Sequence, residues 1–369
     1  MAQTVQQPKQ SQGLQGFLTT GPLRILISFV VPVVAFLVLR WAFIFMRDVE
    51  ANKVLIAIVA LIVGVAGVWA LYLITDNLVS LLPTGIKEIV RPFVFVGPAL
   101  VILGLYLVYP LVRTLYLSFF GSRGEDFIGL QNYIFAFTNP DMLIALRNNV
   151  LWLIFVTGLV VSFGLVIAVM VDRIGRWESP VKSLIFLPMA ISAVGASVIW
   201  KFVYSFQPAP RPQIGLLNSI VTALGGDPQG WLILKPWNNF FLMIIMVWIL
   251  TGFAMVVISA AVKSVPAELL EAARIDGANE IAIFFRVIIP YIRGTLITIT
   301  TTVLIMVLKV FDIVYVMTSG QNDTEVIANR MFREMFTFRN FGRGSALAVV
   351  LLLAVIPVMI YNIRSLERR

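Results

Sequence analysis

The sequence predicts an all-α, polytopic integral membrane protein with about eight transmembrane helices. Apolar residues make up 59% of the 369 residues and charged residues only 13%, and the mean hydropathy is +0.94, far from the composition of a soluble domain. Several apolar runs reach the roughly 20 residues that cross a bilayer as a helix. Strands of a membrane barrel need only about 10 alternating residues each, so uninterrupted runs of this length exclude a barrel.

Eight apolar runs are long enough to be spans. They cover approximately residues 24–46, 54–75, 92–119, 149–171, 183–206, 240–262, 294–318 and 345–363. The first two spans, within residues 24–91, have polar residues only toward their ends. We therefore expect an accessory pair in which Gly64 and Gly67 allow a close helix contact. Residues 1–23 are polar and lack the features of a cleavable signal, so we expect a disordered tail there.

The residue types that are missing exclude several classes of function. The chain contains no cysteine and no histidine, which removes disulfides, thiolate or imidazole metal sites, and Cys or Ser-His nucleophile systems. It also contains no G-x-x-x-x-G-K-[ST] phosphate loop, so a protein driven by ATP would bind the nucleotide on another subunit. We therefore predict no catalytic residue, no metal site and no enzyme activity in this chain.

A charged, helix-favouring segment over residues 266–290 separates the sixth and seventh predicted spans. Pro266 suits the first turn of a helix, and Glu268 and Glu271 then lie near the positive end of the helix dipole. Gly277 is suited to the left-handed conformation that follows a helix end. We predict a helix, a sharp turn at Asp276-Gly277, and a second short helix over residues 278–286 that Pro290 ends.

This segment resembles the EAA loop of permease subunits of ATP-binding cassette importers. The match consists of an ordered motif, with Phe284 and Ile288 at the expected places before its final proline. The motif residues are Glu271, Ala272, Ala273, Asp276, Gly277, Ala278 and Pro290. In that family the loop is cytoplasmic and sits in a groove of the ATPase subunit, so the small side chains would allow close docking and Glu271 would offer a charge. The alternative is an ordinary wet loop in which Glu271 and Arg274 pair at i, i+3.

The resemblance covers residues 92–369 and implies a six-helix permease core with the EAA loop at residues 263–293. It further implies a second permease subunit, two ATPase subunits that bind ATP and Mg²⁺, and an extracytoplasmic sugar-binding protein. No cofactor would be bound by this chain itself.

The resemblance also implies an orientation. A cytoplasmic EAA loop places both termini in the cytoplasm, in a multi-pass protein of the bacterial inner membrane, and a weak excess of Lys and Arg on that side has the same sign. The basic residues that give the net charge of +9 are scattered over every loop. We therefore expect membrane lipid, and no nucleic acid, as the partner of these basic residues.

Candidate substrate-path residues are few. Lys309 and Asp312 lie in an apolar run at i, i+3, where they would form an ion pair or face a cavity together with Tyr315. The spacing from Phe311 and Asp312 to Tyr315 is similar to that in sugar-type permeases, which implies carbohydrate import. Sugars bind to polar groups and aromatic faces, although aromatic residues in spans more often pack or anchor. The candidates are Trp200, Tyr204, Trp248, Thr251, Lys309, Asp312 and Tyr315.

The segments outside the spans predict two further helices, over residues 214–224 and within residues 319–342, the second capped by Asn322 with Glu325. They would contact a binding protein or lie on the membrane interface. The stretches over residues 213–218 and 225–229 look like the α-glucoside branch. Two other functions remain open: a secondary, ion-coupled carrier that would depend on Asp312, and a membrane-embedded transferase, for which Glu125-Asp126 is the only adjacent acidic pair.

Overall fold

The computed structural model describes residues 21–48, 53–80, 82–208 and 210–367, and this part of the chain is almost entirely helical. It divides into two compact units after Pro110. Of the predicted tail, residues 1–20 lie outside the described residues, and Gly21 already begins the first helix.

The first unit contains three apolar helices. They are α1 (Gly21–Asp48), α2 (Lys53–Ser80) and α3 (Thr84–Leu103). A Cβ on Gly67 would lie 3.2 Å from Cδ2 of Leu39, whereas a Cβ on Gly64 would have nothing within 4 Å, so only Gly67 makes the predicted close contact. The Arg91–Asp76 salt bridge, 2.7 Å long, attaches α3 to α2.

The second unit contains the remaining helices, the first of which begins two residues before the boundary. They are α4 (Tyr109–Leu117), α5 (Gln131–Thr138), α6 (Pro140–Val171), α7 (Glu178–Phe186), α8 (Ala193–Val203), α9 (Leu216–Ala223), α10 (Asn238–Lys263), α11 (Ala267–Ile275), α12 (Glu280–Ile283), α13 (Ile289–Leu308), α14 (Asp312–Met317), α15 (Ile327–Phe332) and α16 (Phe341–Glu367). Helix α9 confirms the first helix predicted outside the spans.

Helix α10 is the centre of the second unit, with α6 and α7 packed on it. A Cβ on Gly164 of α6 would lie 2.7 Å from Cβ of Ala254. A Cβ on Gly252 would lie 2.4 Å from the carbonyl oxygen of Ile185 in α7. Since neither contact leaves room for a methyl group, glycine sets the distance between these helices.

The prediction of an unbroken fifth span over residues 183–206 is wrong. The helical segments Gly175–Ala190 and Ala193–Val203 meet at an angle of 100°. Ile191 is extended, and the Ser192 hydroxyl caps α8 by accepting from the N–H of Gly195. The chain therefore turns within an apolar run, because a cap supplies the hydrogen bonds that a continuing helix would have made. Seven described helices are long and apolar enough to cross a membrane, or eight if this bent pair is one span.

The seventh predicted span, residues 294–318, is also interrupted. Helix α13 ends at Leu308, Phe311 has φ −138°, and α14 begins at Asp312. The predicted helical ion pair is therefore wrong, since no salt bridge joins Lys309 to Asp312 in the described part of the chain. Both side chains are exposed, and a break in the helix gives each charge a separate route to polar surroundings.

Pro290 does not end a helix, contrary to the prediction. The chain is helical from Glu280 to Leu308, and a π-helical turn over Phe284–Ile288 joins α12 to α13. There the N–H of Ile289 donates to the carbonyl of Phe284, one residue before the proline that has no N–H to offer. A widened turn accommodates the proline because it shifts the hydrogen-bond ladder locally. The π-helical turn Gly104–Val108 precedes Pro110 in the same way.

Gly164→Ala is expected to lower the free energy of unfolding by about 1–3 kcal/mol, because its methyl group would overlap Ala254. Gly158→Ala, in the same helix, is the control, since a Cβ there has nothing within 4 Å. It should be neutral or slightly stabilising. Thermal unfolding of both variants in detergent measures the difference, and equal melting temperatures would show that α6 and α10 are not in close contact here.

Candidate coupling surface and substrate path

The EAA-like segment forms the predicted helix and sharp turn. Helix α11 follows Pro266, which is its N-cap, and ends at Ile275. Gly277 has φ +83°, the N–H of Gly277 donates to the carbonyl of Arg274 at 3.0 Å, and the N–H of Ala278 donates to that of Ala273 at 3.0 Å. This pair of hydrogen bonds is a Schellman motif, which requires the left-handed residue that glycine supplies.

The second helix of the segment begins at Glu280, later than predicted. Asn279 is its N-cap, and the side-chain oxygen accepts from the N–H of Ala282 at 2.8 Å. In the short connection over Gly277–Asn279, the glycine that ends α11 is therefore followed after one residue by the asparagine that caps α12. This fixes the angle between α11 and the long helix that continues into α13.

Six of the seven motif residues lie in α11 and this turn, whereas Pro290 lies in α13. Ala273 and Ala278 are half-buried and the other five are exposed. Large apolar side chains surround them: Ile275 is 86% exposed, Ile281 70% and Phe285 60%. We call the small motif side chains of α11 and the turn, together with Leu269 and Ile275, the coupling surface. A surface of this kind, with little side-chain obstruction and several exposed apolar groups, is typical of a docking site.

Charged contacts hold the segment against α6. The Glu271–Arg274 pair is not formed; instead Nε of Arg274 lies 3.2 Å from Oε1 of Glu280. The other oxygen of Glu280 lies 3.2 Å from a guanidinium nitrogen of Arg173, just beyond the end of α6. Glu280 therefore bridges α6 and α11. Each of these side chains is more than half exposed. The bridge therefore adds little to the stability of the fold, and its main effect is to orient α11 relative to α6.

A less exposed ionic cluster lies where α10 leaves the apolar region. Nζ of Lys182 lies 2.5 Å from Oδ1 of Asp172 and 2.7 Å from Oε1 of Glu178. The hydroxyl of Ser259 donates to Oδ1 of Asp172 at 2.6 Å, and Lys263 also pairs with Glu178. Two cations and two carboxylates from three helices thus neutralise one another directly before α11. Sequence reasoning missed this cluster, although the i, i+4 spacing of Glu178 and Lys182 was a signal.

Four of the candidate path residues form a partly internal cluster on α8 and α10. The ring of Trp200 lies 5.1 Å from that of Tyr204 and 5.8 Å from that of Trp248. The Tyr204 hydroxyl donates to the carbonyl of Phe241 at 2.9 Å, and the Thr251 hydroxyl donates to the carbonyl of Val247 at 2.7 Å. Tyr204 and Thr251 are buried, so their polar atoms are already used, while the two tryptophans keep part of their surface exposed.

The other three candidates lie around the break between α13 and α14. Lys309, Asp312 and Tyr315 are all exposed, Tyr315 by 42%. The Tyr315 ring stacks on Phe311 at 5.1 Å and meets Phe332 edge-on at 5.3 Å. Helix α14 packs against α8. An aromatic stack with a phenol, an exposed carboxylate and an exposed amine therefore all lie within seven residues of the chain around this break.

Two Asn-Asn doublets hold the loop that follows α14. The side-chain amide of Asn148 donates to the carbonyls of Asp323 and Glu325 at 2.7 and 2.8 Å. Asn238 donates to the carbonyl of Asn322 at 2.7 Å, and Asn149 accepts from the N–H of Ile327 at 2.8 Å. These asparagines, together with Asn239, are buried in α6 and α10. Their pairing at the start of two predicted spans was an available sequence signal that the prediction did not use.

The predicted Asn322–Glu325 cap is wrong. Asn322 has φ +55°, and α15 begins only at Ile327 with Val326 as its N-cap. Glu325 is buried and instead pairs with Arg333 at 2.9 Å and accepts from Asn329 at 2.5 Å. The carboxylate is therefore used inside the fold, where an opposite charge and an amide compensate its burial.

Comparisons with known proteins agree with this geometry. Residues 92–366 match the family described as the binding-protein-dependent transport system inner membrane component. The chain is 61% identical over 273 residues to the osmoprotective compounds uptake permease protein GgtC of Synechocystis sp., covering 74% of this chain and 98% of that protein. It is 52% identical over 284 residues to the alpha-glucoside transport system permease protein AglF of Rhizobium meliloti, covering 77% and 84% of the two chains.

A solved structure shares the fold. A chain of a bacterial ABC transporter involved in import of the acidic polysaccharide alginate superposes with a TM-score of 0.63 at 21% identity, covering 75% of this chain and 98% of that one.

Lys182→Met is expected to lower the free energy of unfolding by about 1–3 kcal/mol, because Asp172 and Glu178 would lose their shared cation in a little-exposed position. Lys263→Met should cost less, since Lys263 is half exposed and contacts only Glu178 of the cluster. Thermal unfolding in detergent distinguishes the two. A melting temperature of Lys182→Met equal to that of the parent would contradict a stabilising role of the cluster.

Proposed function

The chain belongs to the family of binding-protein-dependent transport system inner membrane components, and we propose that it forms one half of the path through which an importer takes up an α-glucoside or a related small glycoside. It is a membrane-spanning transport subunit and not an enzyme, and ATP is hydrolysed on a separate subunit. The observation that carries the choice of substrate class is the high identity to two permeases, one named for osmoprotective compounds and one for α-glucosides.

The coupling surface is the proposed contact with the ATPase subunit. Ala272 and Gly277 leave the backbone of α11 accessible to a partner, and Ile275 offers the most exposed large apolar side chain of this loop. Apolar groups of this kind supply the central contacts of a protein interface. Glu271 is exposed at its edge and is placed to meet a basic rim of the partner, where it would favour specificity and association rate.

The remaining partners and the orientation follow from the same proposal. A second permease subunit, two ATPase subunits that hold ATP and Mg²⁺, and an extracytoplasmic sugar-binding protein complete the importer. The coupling surface and both termini face the cytoplasm of a bacterial cell. Residues 92–369 form the permease core, and the two spans within residues 24–91 are an accessory helical pair.

The substrate path lies along the α14 segment. A sugar ring places its C–H face on the Tyr315 side of the aromatic stack, while Asp312 and Lys309 meet hydroxyl groups. Trp200 and Trp248, which keep exposed surface on α8 and α10, form a second aromatic wall. Tyr204 and Thr251 support this wall from inside, since their own hydroxyls are occupied by backbone carbonyls.

The continuous helix from Glu280 to Leu308 supports a mechanism of alternating access. Closure of the two ATPase subunits displaces α11, and the rigid helix that follows carries this displacement into the membrane. The path then opens toward the binding protein, and ATP hydrolysis resets it. No step in this chain makes or breaks a covalent bond.

Ile275→Asp is expected to weaken binding of the ATPase subunit by about 10-fold to 100-fold, because it replaces a large apolar contact by a charge. Leu224→Asp is the matched control: Leu224 is 83% exposed, close to the 86% of Ile275, but it directly follows α9 and does not belong to the coupling surface. Affinity purification with quantification of the ATPase subunit measures both. Unchanged recovery with Ile275→Asp would exclude the coupling surface as the docking site, and sugar uptake that follows an ion gradient without ATP would favour a secondary carrier.

Tyr315→Ala is expected to raise the KM for sugar uptake about tenfold, since it removes one aromatic face of the proposed path. Tyr361→Ala, a change to an exposed tyrosine of α16, is the control and should leave uptake unchanged. The measurement is uptake of radiolabelled α-glucoside into proteoliposomes that contain the whole importer. A loss of kcat with unchanged KM would contradict a substrate contact at Tyr315.

A further inference from the structure

A groove of about 300 Å³ lies between the end of α6 and the second half of the EAA-like segment. Its walls are apolar and come from two parts of the chain. They are Val166, Val169, Met170, Ile281, Phe284 and Phe285. Arg173 and Glu280 stand at its rim. We call it the loop groove.

The position of the loop groove along the helices matches the edge of a bilayer. One contributing span ends at Val171 and the other begins at Glu280. The apolar walls therefore lie inside the ends of these spans, and the charged rim lies at the level of lipid headgroups. Met170 is 63% exposed, Ile281 70% and Phe285 60%, so the groove is open at its side.

Together with Arg274 of α11, which pairs with Glu280 although it does not line the groove, the rim carries a net positive charge. Arg173 and Arg274 share the single carboxylate of Glu280, each at 3.2 Å. A guanidinium has five N–H donors, and both arginine side chains are more than half exposed. Each guanidinium can therefore redirect part of its donors from Glu280 to a second anion.

We propose that the loop groove binds an anionic phospholipid, with an acyl chain against the apolar walls and the phosphate between Arg173 and Arg274. Basic pockets between spans at a membrane surface are suited to such headgroups. A free anion would use the rim but leave the apolar walls exposed, whereas a lipid uses both. The phosphate and the Glu280 carboxylate then compete for the same two guanidinium groups.

The site has a regulatory consequence, which rests on the proposed function for the side of the membrane and the role of α11. Arg274 belongs to α11, and Glu280 is its link to Arg173 beside α6. A bound phosphate replaces this carboxylate link by a contact to the membrane. The lipid composition of the cytoplasmic leaflet would thereby change how firmly α11 is held when the ATPase subunits close.

Competition makes the proposal testable, because it predicts opposite signs for two variants. Arg173→Gln removes a phosphate ligand and should weaken binding of phosphatidylglycerol about fivefold. Glu280→Gln removes the competing carboxylate and should strengthen it. Arg176→Gln is the control, since Arg176 is an exposed neighbour whose guanidinium lies over Trp177 and does not line the groove.

The measurement is native mass spectrometry of the purified full-length protein in detergent, titrated with phosphatidylglycerol and, separately, with phosphatidylcholine of the same chains. We expect phosphatidylglycerol to bind more tightly, and only this preference to change in the variants. If Arg173→Gln and Glu280→Gln shift the affinity in the same direction, the ion pairs are merely structural and the proposal is overturned. Inorganic phosphate that displaces the lipid at equal concentration would overturn it too, by showing a general anion site.

A protein segment in the groove would also overturn the proposal. Because the chain contains no cysteine, Ile281→Cys gives a single attachment point for a photocrosslinker. A crosslink to residues 24–80 or to a partner subunit, in place of lipid, would show that protein covers the walls. None of these measurements needs ATP, sugar or an ATPase subunit. The proposed lipid site can therefore be contradicted without contradicting the proposed importer function, and the reverse is also true.

Discussion

The close packing of α6 on α10 is the constraint on which the rest of the second unit depends. The two helices meet where Gly164 faces Ala254 without room for a methyl group. At one end, their Asn-Asn doublets hold the loop after α14. At the other end, the Ser259 hydroxyl donates to Asp172, which also pairs with Lys182, directly before α11. The proposed substrate path and the coupling surface are thus built on opposite ends of one rigid pair, which explains why polar groups are concentrated at its two ends.

The coupling segment could be predicted because its shape depends on local residues. The helix breaks elsewhere depend on tertiary contacts, and they were not predicted. The turn at Gly277 depends on one residue that accepts positive φ, so sequence alone identifies it. The breaks at Ser192 and Lys309 were missed because hydropathy records the length of an apolar run and not the path of its backbone. The prediction that Pro290 ends a helix failed for a related reason. Proline usually ends a helix, but a π-helical turn just before it lets this one continue.

The candidate path shows the same limit at the level of side chains. Tyr204 and Tyr315 are the same residue type in similar apolar surroundings, so composition does not show which of them is accessible. The structure buries Tyr204 against the carbonyl of Phe241 and leaves Tyr315 accessible. Asn322 likewise fits a capping pattern, yet its positive φ excludes it from that role. Composition identifies which residue types could contact a sugar, whereas burial decides which of them can.

The break at residues 309–311 has a mechanical meaning. On one side of it, α13 is continuous with α12 and so is tied to the coupling surface. On the other side, α14 leads into a loop that the asparagine doublets fix to α6 and α10. If α13 moves while α14 stays fixed, the backbone between them must change conformation, because packed helices resist internal deformation. Lys309 lies within this connection, and Asp312 and Tyr315 lie directly after it. We therefore expect the largest change in the path at the same residues that are proposed to contact the sugar, which would link substrate release to movement of the coupling surface without any separate gate.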